Sequence, residues 1–134
     1  MALKNNWNNY KKIFIKNFGI YSTKEVRKIR KLRVALAGVG GIGGHVAVSL
    51  ARLGIKEIIL ADPDRYQISN INRQQGAYFD TIGRLKAEVI AKELKRINPF
   101  IRVRAIKETI NEKNVEKFIN NVDIILDTID FFEP

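Results

Sequence analysis

Seven residues, Gly38-Val39-Gly40-Gly41-Ile42-Gly43-Gly44, directly follow the apolar segment Arg33-Val34-Ala35-Leu36-Ala37. Five glycines in one turn mean that the backbone must bend sharply there or approach something a side chain would hold off. The segment before them is short and apolar without alternation, which predicts a strand buried on both faces. Ile42 to Leu53 predicts a helix that Gly54 stops. Within the loop, Gly38, Gly40 and Gly43 have the spacing of a dinucleotide-binding fingerprint in its strand–turn–helix context. There the first N–H groups of the helix face an anion. A tight strand–helix turn alone needs fewer glycines than five.

The rest of the chain keeps the same rhythm. Glu57 to Ala61 predicts a second strand, and Asp62 to Asp80 is polar and irregular. Thr81 to Ile97 predicts a long helix with Leu85, Val89, Ile90 and Leu94 at helical spacing, closed by Asn98-Pro99. Ile101 to Ile106 predicts a third strand, Asn111 to Asn120 a helix, and Val122 to Asp127 a fourth strand. Strands alternating with helices imply an α/β fold, a parallel sheet with helices on both faces. Such nucleotide-binding sheets normally continue with further strands. Ending at Pro134, the chain therefore reads as the N-terminal part of a larger fold, truncated after the fourth strand.

Charge divides the chain in two. Residues 1–33 hold ten Lys/Arg against the single acid Glu25, whereas residues 34–134 hold fourteen against thirteen acids. The net charge of +10 thus belongs to an N-terminal arm, residues 1–33, ahead of a nearly neutral domain, residues 34–134. Ser22-Thr23-Lys24-Glu25 has capping-box spacing and opens a helix in that arm. Such an arm can contact RNA, an acidic partner protein or nucleotide phosphates, or it can pack on the domain as a solvated amphipathic helix. Trp7 and Tyr10 are its expected anchors. The absence of cysteine excludes a disulfide framework, a thiolate zinc site and a cysteine nucleophile within these residues. The longest uncharged stretch, Val34 to Ala51, contains His45 and five glycines, so no membrane span is expected. No secretory signal is visible, and a soluble, cytoplasmic protein is the expectation.

After the glycine loop come five further motifs in order. They are Ala61-Asp62-Pro63-Asp64, Ser69-Asn70-Ile71-Asn72-Arg73-Gln74, Gly83-Arg84-Leu85-Lys86, Ile97-Asn98-Pro99 and Asp127-Thr128-Ile129-Asp130. Asp62 stands 24 residues after Gly38, at a strand end where a carboxylate can accept hydrogen bonds from ribose hydroxyls. Two cations and a carboxylate in succession are the equipment for transfer at phosphorus, where cations offset phosphate charge and a carboxylate holds Mg²⁺. A nicotinamide dehydrogenase, which the glycine loop alone would permit, does not need them.

Together these six motifs resemble the ThiF/MoeB/HesA family, which includes the ubiquitin-activating enzymes and the adenylyltransferases of sulfur-carrier proteins. The resemblance runs from Val34 to Asp130 and implies a Rossmann-like, ATP- and Mg²⁺-dependent adenylation domain. It implies that Gly38, Gly40, Gly41 and Gly43 cradle the nucleotide, with Gly41 packed against it. Asp62 would hold the ribose with Asp64 nearby, and Asn70, Arg73 and Lys86 would contact the triphosphate beside Ser69. Asp130 would bind Mg²⁺, so that Arg73, Lys86 and Asp130 carry the catalysis. A carboxylate, commonly the C-terminal glycine of a ubiquitin-like or sulfur-carrier protein, would attack the α-phosphate. An acyl-adenylate would form and pyrophosphate would leave. Homodimers are implied as well.

The chain also departs from the family pattern. Phe131 follows Asp130 where the family commonly has Asn, and Tyr10-Lys11-Lys12-Ile13 stands where a Tyr-x-Arg-Gln motif usually reaches a partner's site. Lys11 or Lys12 is the substitute on offer. These departures keep open a non-catalytic nucleotide-binding or dimerisation half. His45 reads as a packed or partly exposed helix residue rather than a base, and Phe131-Phe132 as core or interface.

Overall fold

The computed structural model describes residues 3–130. Its elements are α1 (Trp7–Ile13), α2 (Thr23–Ile29), β1 (Arg33–Ala37), α3 (Gly43–Leu53), β2 (Glu57–Ala61), α4 (Lys86–Ile97), β3 (Arg102–Ile106), α5 (Val115–Ile119) and β4 (Ile124–Asp127), with short 3-10 turns between some of them. The four strands are all parallel and ordered β3-β2-β1-β4. The order in which strands are added reverses at β1, with β2 and β3 on one side and β4 on the other. The crevice beyond the carboxyl ends of β1 and β4 is therefore the switch point at which open sheets of this kind bind ligands.

Two cores flank the sheet, as continuous apolar strands require. Val34, Leu36, Ile58 and Leu60 pack with Ala47 and Ala51 of α3 and with Ile90 and Leu94 of α4. Ala35, Ala37, Ile59 and Ala61 face the other way, onto Phe118 of α5. Helices therefore cover both faces. Small alanines on the second face let α5 sit close with only five residues. Among the described residues no helix is long and apolar enough to cross a membrane.

Three elements differ from the sequence reading by two residues or more at a boundary, and α3 and β3 each start one residue later than read. α4 starts at Lys86, not Thr81. Gly83 adopts φ +83° and Leu85 is extended, so the helix cannot begin earlier; Leu85 instead forms a lone bridge with Arg65. Thr81 turns its hydroxyl onto the carbonyl of Gly76 at 2.7 Å. α5 covers only Val115–Ile119, because the Asn114 side chain caps a turn at Asn111 and bonds the Thr109 carbonyl. β4 begins at Ile124, although the Asp123 N–H still donates to the Arg33 carbonyl at 2.8 Å. Phe131 and Phe132 lie outside the described residues.

The N-terminal segment folds back on the domain. Tyr10, Phe14 and Val26 form a third buried cluster with Trp7, Ile13, Phe18 and Phe100 against it. The Tyr10 hydroxyl donates to the Gly54 carbonyl at 3.0 Å, at the turn where Gly54 (φ +94°) ends α3. The predicted capping box is present, with Ser22 and Glu25 bonded reciprocally. Burial pushes the Tyr10 hydroxyl up to about 12, so it stays a donor at neutral pH.

Tyr10→Phe strands a buried carbonyl and is expected to lower stability by about 1–2 kcal/mol at pH 8. Because the folded state resists ionising Tyr10, this residue's stabilising effect is complete below the unfolded value near 10 and is lost as pH rises towards 12. Denaturant melts of both proteins at pH 8 and 11 should therefore show the gap narrowing at the higher pH. A constant gap would contradict the assignment.

Candidate functional site

The glycine loop leaves β1 with Gly38 at φ +82°, and the chain turns tightly enough that α3 starts against it. A Cβ on Gly43 would lie 2.0 Å from the Gly38 carbonyl oxygen and 2.5 Å from Thr128 Oγ1. A Cβ on Gly38 would lie 3.0 Å from the Thr128 carbonyl oxygen. These two glycines are demanded by the protein's own packing, and Gly44, the second residue of α3, is closely packed against Gln75 and the Val39 carbonyl. Gly40 and Gly41 are not: a Cβ on Gly41 meets nothing within 4 Å, and one on Gly40 makes only ordinary contact with Gln74. The chain's own packing therefore does not require glycine at these two positions, whose bare backbone lies in the turn between β1 and α3.

Asp62 secures the loop from β2. Its side chain is buried, with Oδ2 accepting the Val39 N–H at 2.8 Å and Oδ1 accepting the Asp64 N–H at 2.8 Å. Each carboxylate oxygen retains a second lone pair. Asp64 in turn takes the Lys86 N–H on its carbonyl at 2.9 Å and the Lys86 ammonium on Oδ2 at 3.0 Å. Lys86 is the first residue of α4 and only 6% exposed, whereas the Asp64 side chain is 64% exposed. Asp62, Asp64 and Lys86 are thus one connected group beside the glycine loop.

Arg73 is exposed at the other rim. Its guanidinium donates to the Ser69 carbonyl at 3.0 Å and to Asn72 Oδ1 at 3.1 Å. His45 Nε2 is 3.0 Å from the Arg73 carbonyl, which ties α3 to this segment. Asn70 is buried and caps its own turn, with Oδ1 accepting the Gln67 N–H at 2.9 Å. Ser69 is exposed beside it. Asp130 is exposed just past β4, two residues after Thr128, which bridges back to the loop. The Asp127 carboxylate turns onto the Ile129 N–H at 3.0 Å.

Thr128 and Gln74 stand inside two of the quoted motifs, and the sequence reading gives neither a role. Thr128 Oγ1 lies 2.9 Å from the Ala37 carbonyl and 2.8 Å from that of Gly38, fastening β4 to the loop. Nothing in the sequence signals this, since it depends on β4 pairing with β1. Gln74 Oε1 is buried without a partner among the described residues, while its amide nitrogen faces Gly40. Below it, the Tyr66 hydroxyl donates to the Gln75 carbonyl at 2.5 Å, and burial followed by the nearby Glu93 raises that hydroxyl well above its ordinary range.

The ThiF family matches residues 14–134. The tRNA threonylcarbamoyladenosine dehydratase of Haemophilus influenzae is 42% identical over 86 residues, covering 63% of this chain and 33% of that protein. The sulfur carrier protein adenylyltransferase of Thermus thermophilus is 31% identical over 87 residues, covering 65% and 30% respectively. A solved structure of the E. coli tRNA N6-threonylcarbamoyladenosine dehydratase in complex with ATP superposes with a TM-score of 0.89 at 30% identity. It covers 100% of this chain and 54% of that one. The chain therefore spans about half the length of that solved relative and about a third of the curated ones.

The two classes of glycine separate experimentally. Gly43→Ala forces a backbone collision and should cost about 2 kcal/mol or more. Gly41→Ala should leave the urea midpoint within about 0.5 kcal/mol of the parent. Equal destabilisation by both would mean that Gly41 is also a packing glycine.

Proposed function

The chain belongs to the ThiF family, and from that premise we propose that it carries the ATP site of a Mg²⁺-dependent adenylyltransferase that activates a carboxylate. The observation that carries this is the open cradle at Gly40 and Gly41 beside the Asp62–Asp64–Lys86 group. In this proposal the bare backbone of Gly41 lies against the nucleotide. The remaining lone pairs of Asp62 accept the ribose hydroxyls. Arg73 and Lys86, with Asn70 and Ser69, hold the triphosphate. Asp130 and the nucleotide's phosphate oxygens suit Mg²⁺, which prefers hard oxygen donors and is commonly held by one or two carboxylates together with phosphates. Among the described residues no three His, Asp or Glu converge, so the metal would arrive with the nucleotide. When bound, it would neutralise charge on the phosphates.

A substrate carboxylate oxygen attacks the α-phosphorus, the bond from that phosphorus to the bridging oxygen of pyrophosphate breaks, and the acyl-adenylate remains. No side-chain nucleophile is required. Catalysis is positioning and charge compensation. The carboxylate of a ubiquitin-like or sulfur-carrier protein is one substrate, in line with the Thermus relative's name. A tRNA-borne carboxylate is the second, favoured by the relative at 42% identity, which is named for a tRNA nucleoside. Homodimers in which Lys11 or Lys12 reaches a second copy's phosphates, and a cytoplasmic location, belong to the same proposal.

Calorimetry should show Mg²⁺–ATP binding and weaker or no NAD binding. Comparable or tighter NAD affinity would sink the proposal in favour of a dehydrogenase. Gly41→Ala should weaken ATP binding while leaving the fold intact. In pyrophosphate exchange, Lys86→Ala and Asp130→Ala should each lower the rate by about 10² or more, about 2.7 kcal/mol, with a much smaller loss of ATP affinity. Asp62→Ala should do the reverse, chiefly weakening binding. Tight ATP binding without any exchange would identify a non-catalytic half.

A further inference from the structure

At the end of the sheet opposite the glycine loop lies a second concavity, of about 280 Å³. Its walls come from the N-terminal segment and from the turns that enter β2 and β3. Because the strands are parallel, residues 54–56 and 98–100 precede strands whose far ends carry Asp62 and Ile106. A five-residue strand separates the two sites by about 16 Å.

Four cations line this concavity, Arg27, Arg30, Lys31 and Lys56, with the amides of Asn5 and Asn98 between them. None of the four has a carboxylate within 4 Å among the described residues; the ion pairs there involve other cations. Two of the cations lie over aromatic rings. The Arg27 guanidinium lies 4.1 Å from the centre of the Trp7 ring. That of Arg30 lies 5.0 Å from the Tyr10 ring and donates to Asn5 Oδ1 at 3.1 Å. Trp7 itself stacks on Tyr10, whose hydroxyl is anchored to Gly54. Stacking immobilises a guanidinium face while leaving its N–H edge outward, the geometry that takes two oxygens of one phosphate.

We infer that this concavity binds the phosphodiester backbone of a nucleic acid, at a site separate from the nucleotide cradle. Concentrated, unpaired and partly pre-oriented positive charge is the electrostatic footprint of such binding. A concave site suits a single compact tetrahedral anion and its neighbours along a strand better than the extended face of an acidic protein. Residues 1–33, which supply three of the four cations, carry most of the chain's net positive charge, and residues 34–134 are almost neutral.

The full chain is titrated with fluorescent bulk tRNA, and separately with duplex DNA of similar length, at several salt concentrations. Each phosphate contact adds about 0.7–0.9 to the slope of log affinity against log salt. The triple variant Arg27→Ala, Lys31→Ala, Lys56→Ala should lose about 2–3 of that slope and about 100-fold in affinity at 0.1 M salt. ATP binding should be unchanged. The variant Lys24→Ala, Lys113→Ala, Lys117→Ala removes equal charge from exposed positions elsewhere and should lose less than 1. Tighter binding of tRNA than of DNA assigns RNA as the source, equal binding assigns nucleic acid generally, and both support the site. Equal losses in the two variants, no loss in the first, or displacement of tRNA by polyglutamate at matched charge would overturn it. If the triple variant loses its thermal transition, Lys31→Glu with Lys56→Glu leaves the Arg27–Trp7 contact in place and carries the same expectations.

Discussion

Two hydrogen bonds to one buried carboxylate set the geometry on which the rest of the candidate site depends. Asp62 accepts the Val39 and Asp64 N–H groups, both at 2.8 Å. A carboxylate removed from water without such partners would be costly to bury, and bonds from N–H groups to an ionised acceptor are among the stronger ones. The consequence is spatial. One oxygen holds the glycine loop after β1, the other fixes the turn after β2, and that turn carries Asp64, which captures Lys86 at the start of α4. Three elements distant in sequence are tied at one corner of the sheet.

β4 closes the corner from the other side. Thr128 places its hydroxyl against the carbonyls of Ala37 and Gly38, and its own carbonyl against the position a Gly38 side chain would need. The loop is therefore clamped between β2 through Asp62 and β4 through Thr128. What the clamp leaves uncovered is the backbone at Gly40 and Gly41. In the proposed site, a loop held at both ends in this way would need little further ordering on binding a ligand.

Much of this was legible in the residues. β1 and β2 fall where uninterrupted apolar runs placed them, because strands covered on both faces have little choice of composition. The capping box and the Gly54 stop are local chemistry and were equally readable. Less legible was the start of α4. Leu85, Val89, Ile90 and Leu94 do have helical spacing, but Gly83 at φ +83° makes a turn that periodicity cannot detect. The overlong reading at Asn111–Asn120 failed similarly, since Asn114 spends its side chain on a turn rather than a helix. Thr128 and Gln74 were beyond reach because their roles exist only through the pairing of β4 with β1 and the fold of the loop over Gly40. Asn70 shows the opposite limit. Its place in a motif suggested a ligand contact, yet its Oδ1 also holds the turn together.

Lys86 is where structure and proposed chemistry meet most closely. Burying an ammonium is tolerated only when charge and hydrogen bonds compensate it. The bond to Asp64 at 3.0 Å is one such contact, and an ammonium has three donors. Its partner is largely in water, so the pair is screened on one side and buried on the other. In the proposed site, a phosphate that reached this largely buried ammonium would meet it where the effective dielectric is lower than in water and each contact counts for more. In the proposed site the lysine is aimed before any ligand arrives, and a gain in phosphate charge during adenylyl transfer would fall on a donor that needs little reorganisation. An exposed lysine would be a mobile point charge instead. Its place at the first residue of α4, bonded to Asp64 beside the Asp62 clasp, is what distinguishes this lysine from a surface cation and what recommends it for the proposed site.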